Sequence, residues 1–148
     1  GDPLEIFTNT DGGVIFRKYS PVGELSSFAE QYAEVLSKTA NVPVLICDSD
    51  HVVAAAGVSK KEFLERRVTQ AMEDYMQSRQ KFVGSEDHAL RPIEGIERNA
   101  SVVYPIIASS DVTGAIIILF DEKNTPPTQV EVKLAQAAAA FLGKQMED

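Results

Sequence analysis

One cysteine, two histidines and no tryptophan occur in 148 residues, and these shortages narrow the chemistry at once. A single cysteine cannot close an internal disulfide, which excludes a disulfide-stapled secreted scaffold. His51 and His88 fall at metal-ligand spacing neither with Cys47 nor with each other, so no metal site is assigned. Basic residues are scarce too: 14 Lys and Arg stand against 22 Asp and Glu, a net charge of −8. That balance opposes non-specific attraction to DNA phosphates and anionic membranes. No apolar run is long enough for a membrane span or a signal peptide, so no membrane partner is expected and a reducing cytoplasm is the simplest setting. The Asn99-Ala100-Ser101 glycosylation triplet is therefore read as coincidence. Glycines 12, 13, 57, 84, 95 and 114 form no phosphate-cradling motif, and no cofactor is called for. The chain opens on Gly1-Asp2 rather than methionine, as expected of a piece of a longer protein.

What is present is a greasy stretch from Ser101 to Phe120. Two apolar runs, Val102 to Ala108 and Ala115 to Phe120, flank Ser109, Ser110, Asp111, Val112 and Thr113 with Gly114 behind, the pattern of a β-hairpin with a five- or six-residue turn. Counting by twos puts Val102, Tyr104, Ile106, Ile116, Ile118 and Phe120 on one set of positions, and Val103, Pro105, Ile107, Ala115, Ile117 and Leu119 on the other. A hairpin apolar on both sides needs cover on both sides, so it belongs at the centre of a sheet with helices on one face and a second layer on the other.

The rest of the chain supplies that cover. Leu4 to Thr8 and Val14 to Tyr19 read as a short hairpin around an Asp-Gly-Gly turn, too small to stand alone. Ser20, Pro21 and Gly23 mark a boundary, giving segments 1–20 and 21–148. From Glu24 to Ala40, Leu25, Phe28, Ala29, Tyr32, Val35 and Leu36 recur at helical spacing. Strands follow at Pro43 to Cys47 and Val52 to Ala56. Ser59 and Glu62 suggest a capping box for a short helix, and a further helix over 68–80 carries Val68, Met72, Tyr75, Met76 and Arg79 along one side. A strand at Phe82-Val83 precedes a loop. Thr128 with Glu131 makes another capping box, opening an alanine-rich helix to Met146 that invites close approach by the sheet and by helix 24–40 or its copy in a second subunit. Strands joined by tight turns, with helices before, between and after them, favour an antiparallel α+β domain.

This layout resembles a GAF domain over Val22 to Asp148, on the proline-bearing strand Val102 to Ile107 and the glycine-led strand Gly114 to Leu119. More specific are Leu4-Glu5-Ile6-Phe7, Lys18-Tyr19-Ser20-Pro21, Val44-Leu45-Ile46-Cys47-Asp48, Gly57-Val58-Ser59-Lys60-Lys61-Glu62, Glu94-Gly95-Ile96-Glu97 and Lys144-Gln145-Met146-Glu147. Together these resemble the stage V sporulation protein T family of transcription regulators. The resemblance implies a six-stranded antiparallel sheet with terminal helices on one face. It also implies that Gly1 to Tyr19 is a remnant β-hairpin, the second half of a swapped-hairpin AbrB-like domain that binds DNA in the full-length protein. The implied role is sensing and dimerisation: ligand or oligomeric state is coupled to DNA binding, and the chain is not an enzyme. One alternative is a GAF fold without ligand that only holds subunits together; from another class comes a thiol reductase using Cys47.

The candidate residues follow from the same patterns. Cys47 sits in an apolar strand with no adjacent histidine and reads as a core residue. Asp48, Asp50 and Asp111 lie in expected turns, where carboxylates bond nearby backbone, and His51 and His88 are expected to be solvated. Met72, Met76 and Arg79, closing over Tyr104 and Ile118, form the candidate pocket for an unidentified small-molecule effector. Arg66 and Arg67 read as a solvated charge run. Leu25, Phe28, Tyr32, Leu134, Ala138 and Phe141 are the candidate interface for a homodimer or higher assembly.

Overall fold

The two long apolar runs pair as the central strands of a five-stranded antiparallel sheet. The computed structural model describes residues 6–8, 14–16 and 26–147. Within them lie β1 (Ile6–Thr8), β2 (Val14–Phe16), α1 (Ser26–Ala40), β3 (Val44–Asp48), β4 (Val52–Ala56), α2 (Lys60–Phe63), α3 (Gln70–Gln77), β5 (Phe82–Val83), β6 (Ala100–Ala108), β7 (Asp111–Leu119) and α4 (Gln129–Gln145). β1 and β2 form the expected antiparallel hairpin, with Phe7 opposite Ile15; its turn and the boundary near Ser20 lie outside the described residues. The main sheet runs β4-β3-β7-β6-β5, five strands where the family resemblance implied six.

The β6–β7 turn is tighter than the sequence suggests. Ala108 pairs with Asp111, so only Ser109 and Ser110 link the strands. Both adopt positive φ, 51° and 72°, the backbone of a two-residue turn whose twist matches the flanking strands. Asp111, Val112 and Thr113, expected in the turn, are instead the first residues of β7, with Val112 packed at the margin of the core. Gly114 is a strand residue opposite both Asp48 and Ile106. A Cβ at Gly114 would collide with the Cys47 carbonyl oxygen, so the glycine is what lets β3 and β7 meet there.

Alternation splits the core into two layers, as the counting by twos requires. On one face Ala29, Ala33 and Leu36 of α1 and Val132, Ala135, Ala138, Ala139 and Leu142 of α4 pack on Val44, Ile46, Val102, Ile106, Ile116 and Ile118. The small residues let the helices sit close to the sheet, and Gly143 does so most, since a Cβ there would strike the Ile107 carbonyl oxygen. On the other face Phe63, Val68, Met72, Met76, Phe82, Leu90, Ile93 and Ile96 cover Leu45, Cys47, Val103, Ala115, Ile117 and Leu119. Both sides of the central hairpin are thus dry.

Helix ends follow their capping chemistry. Asn41, with φ 57°, closes α1. Thr128 Oγ1 accepts from Glu131 N at 3.2 Å while Thr128 N donates to Glu131 Oε1 at 3.4 Å, the expected capping box. Ser59 differs: its side chain makes no cap hydrogen bond, and only its carbonyl accepts from Glu62 N. The third helix starts later than its periodicity suggests. Thr69 caps it by accepting from Met72 N at 3.1 Å, while Val68 is drawn into a bridge with Ile93.

Candidate functional site

Helices α1 and α4 lie side by side and each carries two apolar stripes. A helix covered on one face only needs one, so the second asks for a partner. On α1 the inner stripe is Ala29, Ala33 and Leu36; the outer is Phe28, Tyr32 and Val35. On α4 the outer stripe is Val130, Leu134, Ala137 and Phe141, spaced four, three and four apart as in a helix-pairing seam. Phe141 joins the two, its ring centroid 5.5 Å from that of Phe28 and 5.3 Å from that of Tyr32. Large apolar side chains are left in water here: Val130 is 66% exposed, Val35 62%, Phe28 41% and Phe141 38%.

Five of the six expected interface residues can be placed, and four share this surface. Leu25 lies outside the described residues. Ala138 is a correction: it is fully buried against the sheet, because with Ala135 and Ala139 it lies on the inner face of α4 while Ala137 faces outward. Val35, Val130 and Ala137 belong to the surface and were not singled out for it, although their spacing carried the signal.

The five expected pocket residues do not come together. Met72 and Met76 pack in the second layer, whereas Ile118 and Tyr104 belong to the face under the terminal helices. The sheet itself separates the two groups. Arg79 is exposed just beyond α3, with φ 64°. Arg66 Nε donates to the Glu62 backbone carbonyl and Arg67 Nη2 lies 3.9 Å from Glu73, two separate contacts of exposed arginines. An open groove of about 420 Å³ lies elsewhere, between Glu97-Arg98-Asn99 and Phe120-Asp121-Glu122 with Asn124, and contains none of the expected residues. Arg98 donates across it to the Phe120 carbonyl at 3.0 Å, and Thr125 donates twice to Asp121, lowering the Asp121 pKa.

Cys47 is fully buried, its Sγ 4.0 Å from Met76 Sδ. Burial, reinforced by the charge of Asp48, pushes its pKa up to about 12, so the nucleophilic thiolate is suppressed at neutral pH. Asp48 accepts from the amides of Asp50 and His51 at 2.7 and 2.8 Å, the turn-holding role its position suggests. His51 is less free than expected, whereas His88 is exposed as expected. His51 Nδ1 lies 3.3 Å from Asp48 and Nε2 3.7 Å from Glu65, while the His88 ring packs on Phe82 at 4.7 Å. Among the described residues no three His, Cys, Asp or Glu side chains converge as a metal cage, and no helix is long and apolar enough to cross a membrane.

The antiparallel sheet, with paired terminal helices on one face and a helix-and-loop layer on the other, defines a GAF-like domain. The GAF domain of Acinetobacter phosphoenolpyruvate-protein phosphotransferase superposes with a TM-score of 0.61 at 14% identity, covering 85% of this chain and 87% of that one. The cofactor-binding GAF domain of the nutrient sensor CodY from Clostridium difficile gives 0.55 at 12%, covering 79% and 83%. At such identities the likeness concerns the fold alone. The family described as Stage V sporulation protein T C-terminal, transcription factor, matches residues 24–147. Stage V sporulation protein T of Bacillus subtilis (strain 168) is 40% identical over 149 residues, spanning 99% of this chain and 83% of that protein. The chain belongs to this family of sporulation transcription factors, and its GAF-like unit is the family's carboxy-terminal domain.

Proposed function

We propose that residues 21–148 form a non-catalytic pairing domain: two copies meet through the outer stripes of α1 and α4, and their arrangement is passed to an amino-terminal DNA-binding domain to which residues 1–20 contribute. The observation that carries this reading is the aromatic and aliphatic surface of Phe28, Tyr32, Val35, Val130, Leu134 and Phe141. Exposed large side chains gathered on two adjacent helices are a partner surface, and a second copy offers the same stripes in return. Membership in a transcription-factor family supports a regulatory role, with DNA held by the intact protein in the cytoplasm. The charge of −8 agrees with DNA contact lying outside this domain. The reductase alternative is disfavoured by the buried, protonated Cys47.

Light scattering tests the proposal. The parent chain is expected at twice its 16.1 kDa mass and Phe28→Glu/Phe141→Glu at 16.1 kDa. A monomeric parent, or a variant that folds and still pairs, would refute it.

A second reading, small-molecule sensing, draws on the fold shared with a CodY domain described as cofactor-binding. Here the sheet face opposite the terminal helices is occupied by Phe63, Met72, Met76, Phe82, Leu90, Ile93 and Ile96, all buried, so a guest must displace side chains to enter. That filling favours pairing over sensing. A concentration-dependent rise in melting temperature with a metabolite panel would reverse the preference.

A further inference from the structure

β4 is an edge strand, and the chain leaving it must cross from the helix-covered face to the second layer within a few residues. Gly57, with φ 76°, makes the turn. A Cβ there would lie 2.6 Å from Ser37 Oγ and 3.1 Å from Pro43 Cα, so the crossing is pressed against the end of α1. The four-residue α2 follows, and its two ends look in opposite directions. Phe63 is buried in the second layer. Lys60 reaches back over the edge, its Nζ 2.6 Å from Glu30 Oε1 and 2.7 Å from Glu34 Oε1, carboxylates one turn apart on α1. The residues after α2 are fastened to β4: Glu65 N donates to Val52 O at 3.0 Å and Val52 N to Arg66 O at 2.9 Å. Lys60 and Phe63 therefore sit on one short rigid element with a foothold in each layer.

We infer that Lys60, Glu30 and Glu34 form a cross-layer clamp that couples the packing of the second layer to α1. A shift of Phe63 moves α2, and motion of α2 works against two short ion pairs anchored on α1. One ammonium shared by two carboxylates on successive turns resists such motion better than an isolated surface pair. The coupling is reciprocal: a change at α1 that displaces Glu30 or Glu34 draws on α2 and so on the second layer. Because α1 also carries Phe28, Tyr32 and Val35, the clamp joins the interior to the proposed pairing surface, yet it operates within one chain whether or not chains pair.

Hydrogen exchange of the 148-residue chain tests this, read over residues 28–40 relative to α4 so that global unfolding cancels. Phe63→Leu should raise relative exchange in α1 about two- to fivefold, the span set by an ion-pair network of this exposure. In a Lys60→Met background the same substitution should add little. Glu30→Gln/Glu34→Gln should reproduce the Lys60→Met result, showing that the charges rather than the lysine stem transmit the effect. If Phe63→Leu does not fold, Met76→Leu perturbs the same layer at nearly constant volume. An α1 indifferent to the second-layer change, or an equal increase with and without Lys60, would overturn the inference.

Discussion

Replacing Cys47 by serine probes whether the second layer is the dry, closed interior described above. At pH 8 a thiol whose pKa is pushed up to about 12 is ionised to roughly one part in ten thousand, against about one in ten at its ordinary value of 9.0. Native Cys47 should therefore react with a thiolate-selective reagent about a thousandfold more slowly than the urea-unfolded chain from ionisation alone, before access is counted. The Cys47→Ser hydroxyl would lie in a fully buried site beside the Met76 thioether, and an unsatisfied buried hydroxyl costs about 1–3 kcal/mol. Urea unfolding should show this as a lower midpoint with unchanged slope. The sign of the pH effect is fixed as well. The folded pKa lies above the unfolded one, so the thiol's contribution is complete below pH 9.0 and declines between 9.0 and about 12, as the unfolded chain alone loses its proton. The parent should lose about 1.4 kcal/mol more per pH unit than Cys47→Ser across that window. Native labelling at the unfolded rate, or equal alkaline slopes in the two proteins, would refute the reasoning.

Two further substitutions test particular joints of the fold. Gly114→Ala drives a methyl into the Cys47 carbonyl oxygen, a backbone atom with no freedom to yield, and should cost up to about 3 kcal/mol by thermal or urea unfolding. Thr128→Ala removes the hydroxyl that accepts from Glu131 N, leaving only the Thr128 backbone amide bonded to the Glu131 carboxylate, and should cost about 1 kcal/mol, whereas Ser59→Ala, losing no cap hydrogen bond, should stay within about 0.5 kcal/mol.

The architecture was legible because burial on both faces leaves a simple mark. Val102 to Ile107 and Ala115 to Leu119 are apolar at every step, and nothing but a covered central hairpin accommodates them. The β6–β7 turn was not legible, since Ser109-Ser110 lacks the Asn-Gly or Asp-Gly signature of a two-residue link and the polar residues after it resemble loop. The two capping boxes were equivalent as spacing; only geometry separates Thr128, which bonds, from Ser59, which does not. The candidate pocket failed for a reason that periodicity cannot repair. Tyr104 and Ile118 were correctly put on one face, but which face receives Met72 and Met76 depends on how the chain crosses the sheet edge at Gly57. The proposed pairing surface was closer to reach. Phe28, Tyr32, Leu134 and Phe141 share one outward surface, as their spacing suggests, whereas Ala138, expected beside them, is buried, because one step along α4 turns a residue by about 100° and so exchanges the stripes.

The central claim, that α1 and α4 meet their counterparts in a second copy, is tested most directly by isotope-filtered nuclear Overhauser spectra of a mixture of carbon-13-labelled and unlabelled chains. The account predicts inter-chain contacts between the rings of Phe28, Tyr32 and Phe141 and the methyl groups of Val35, Val130 and Leu134. An absence of inter-chain contacts at concentrations well above those used for light scattering, or contacts confined to other exposed residues such as Val83 and Ile107, would contradict it.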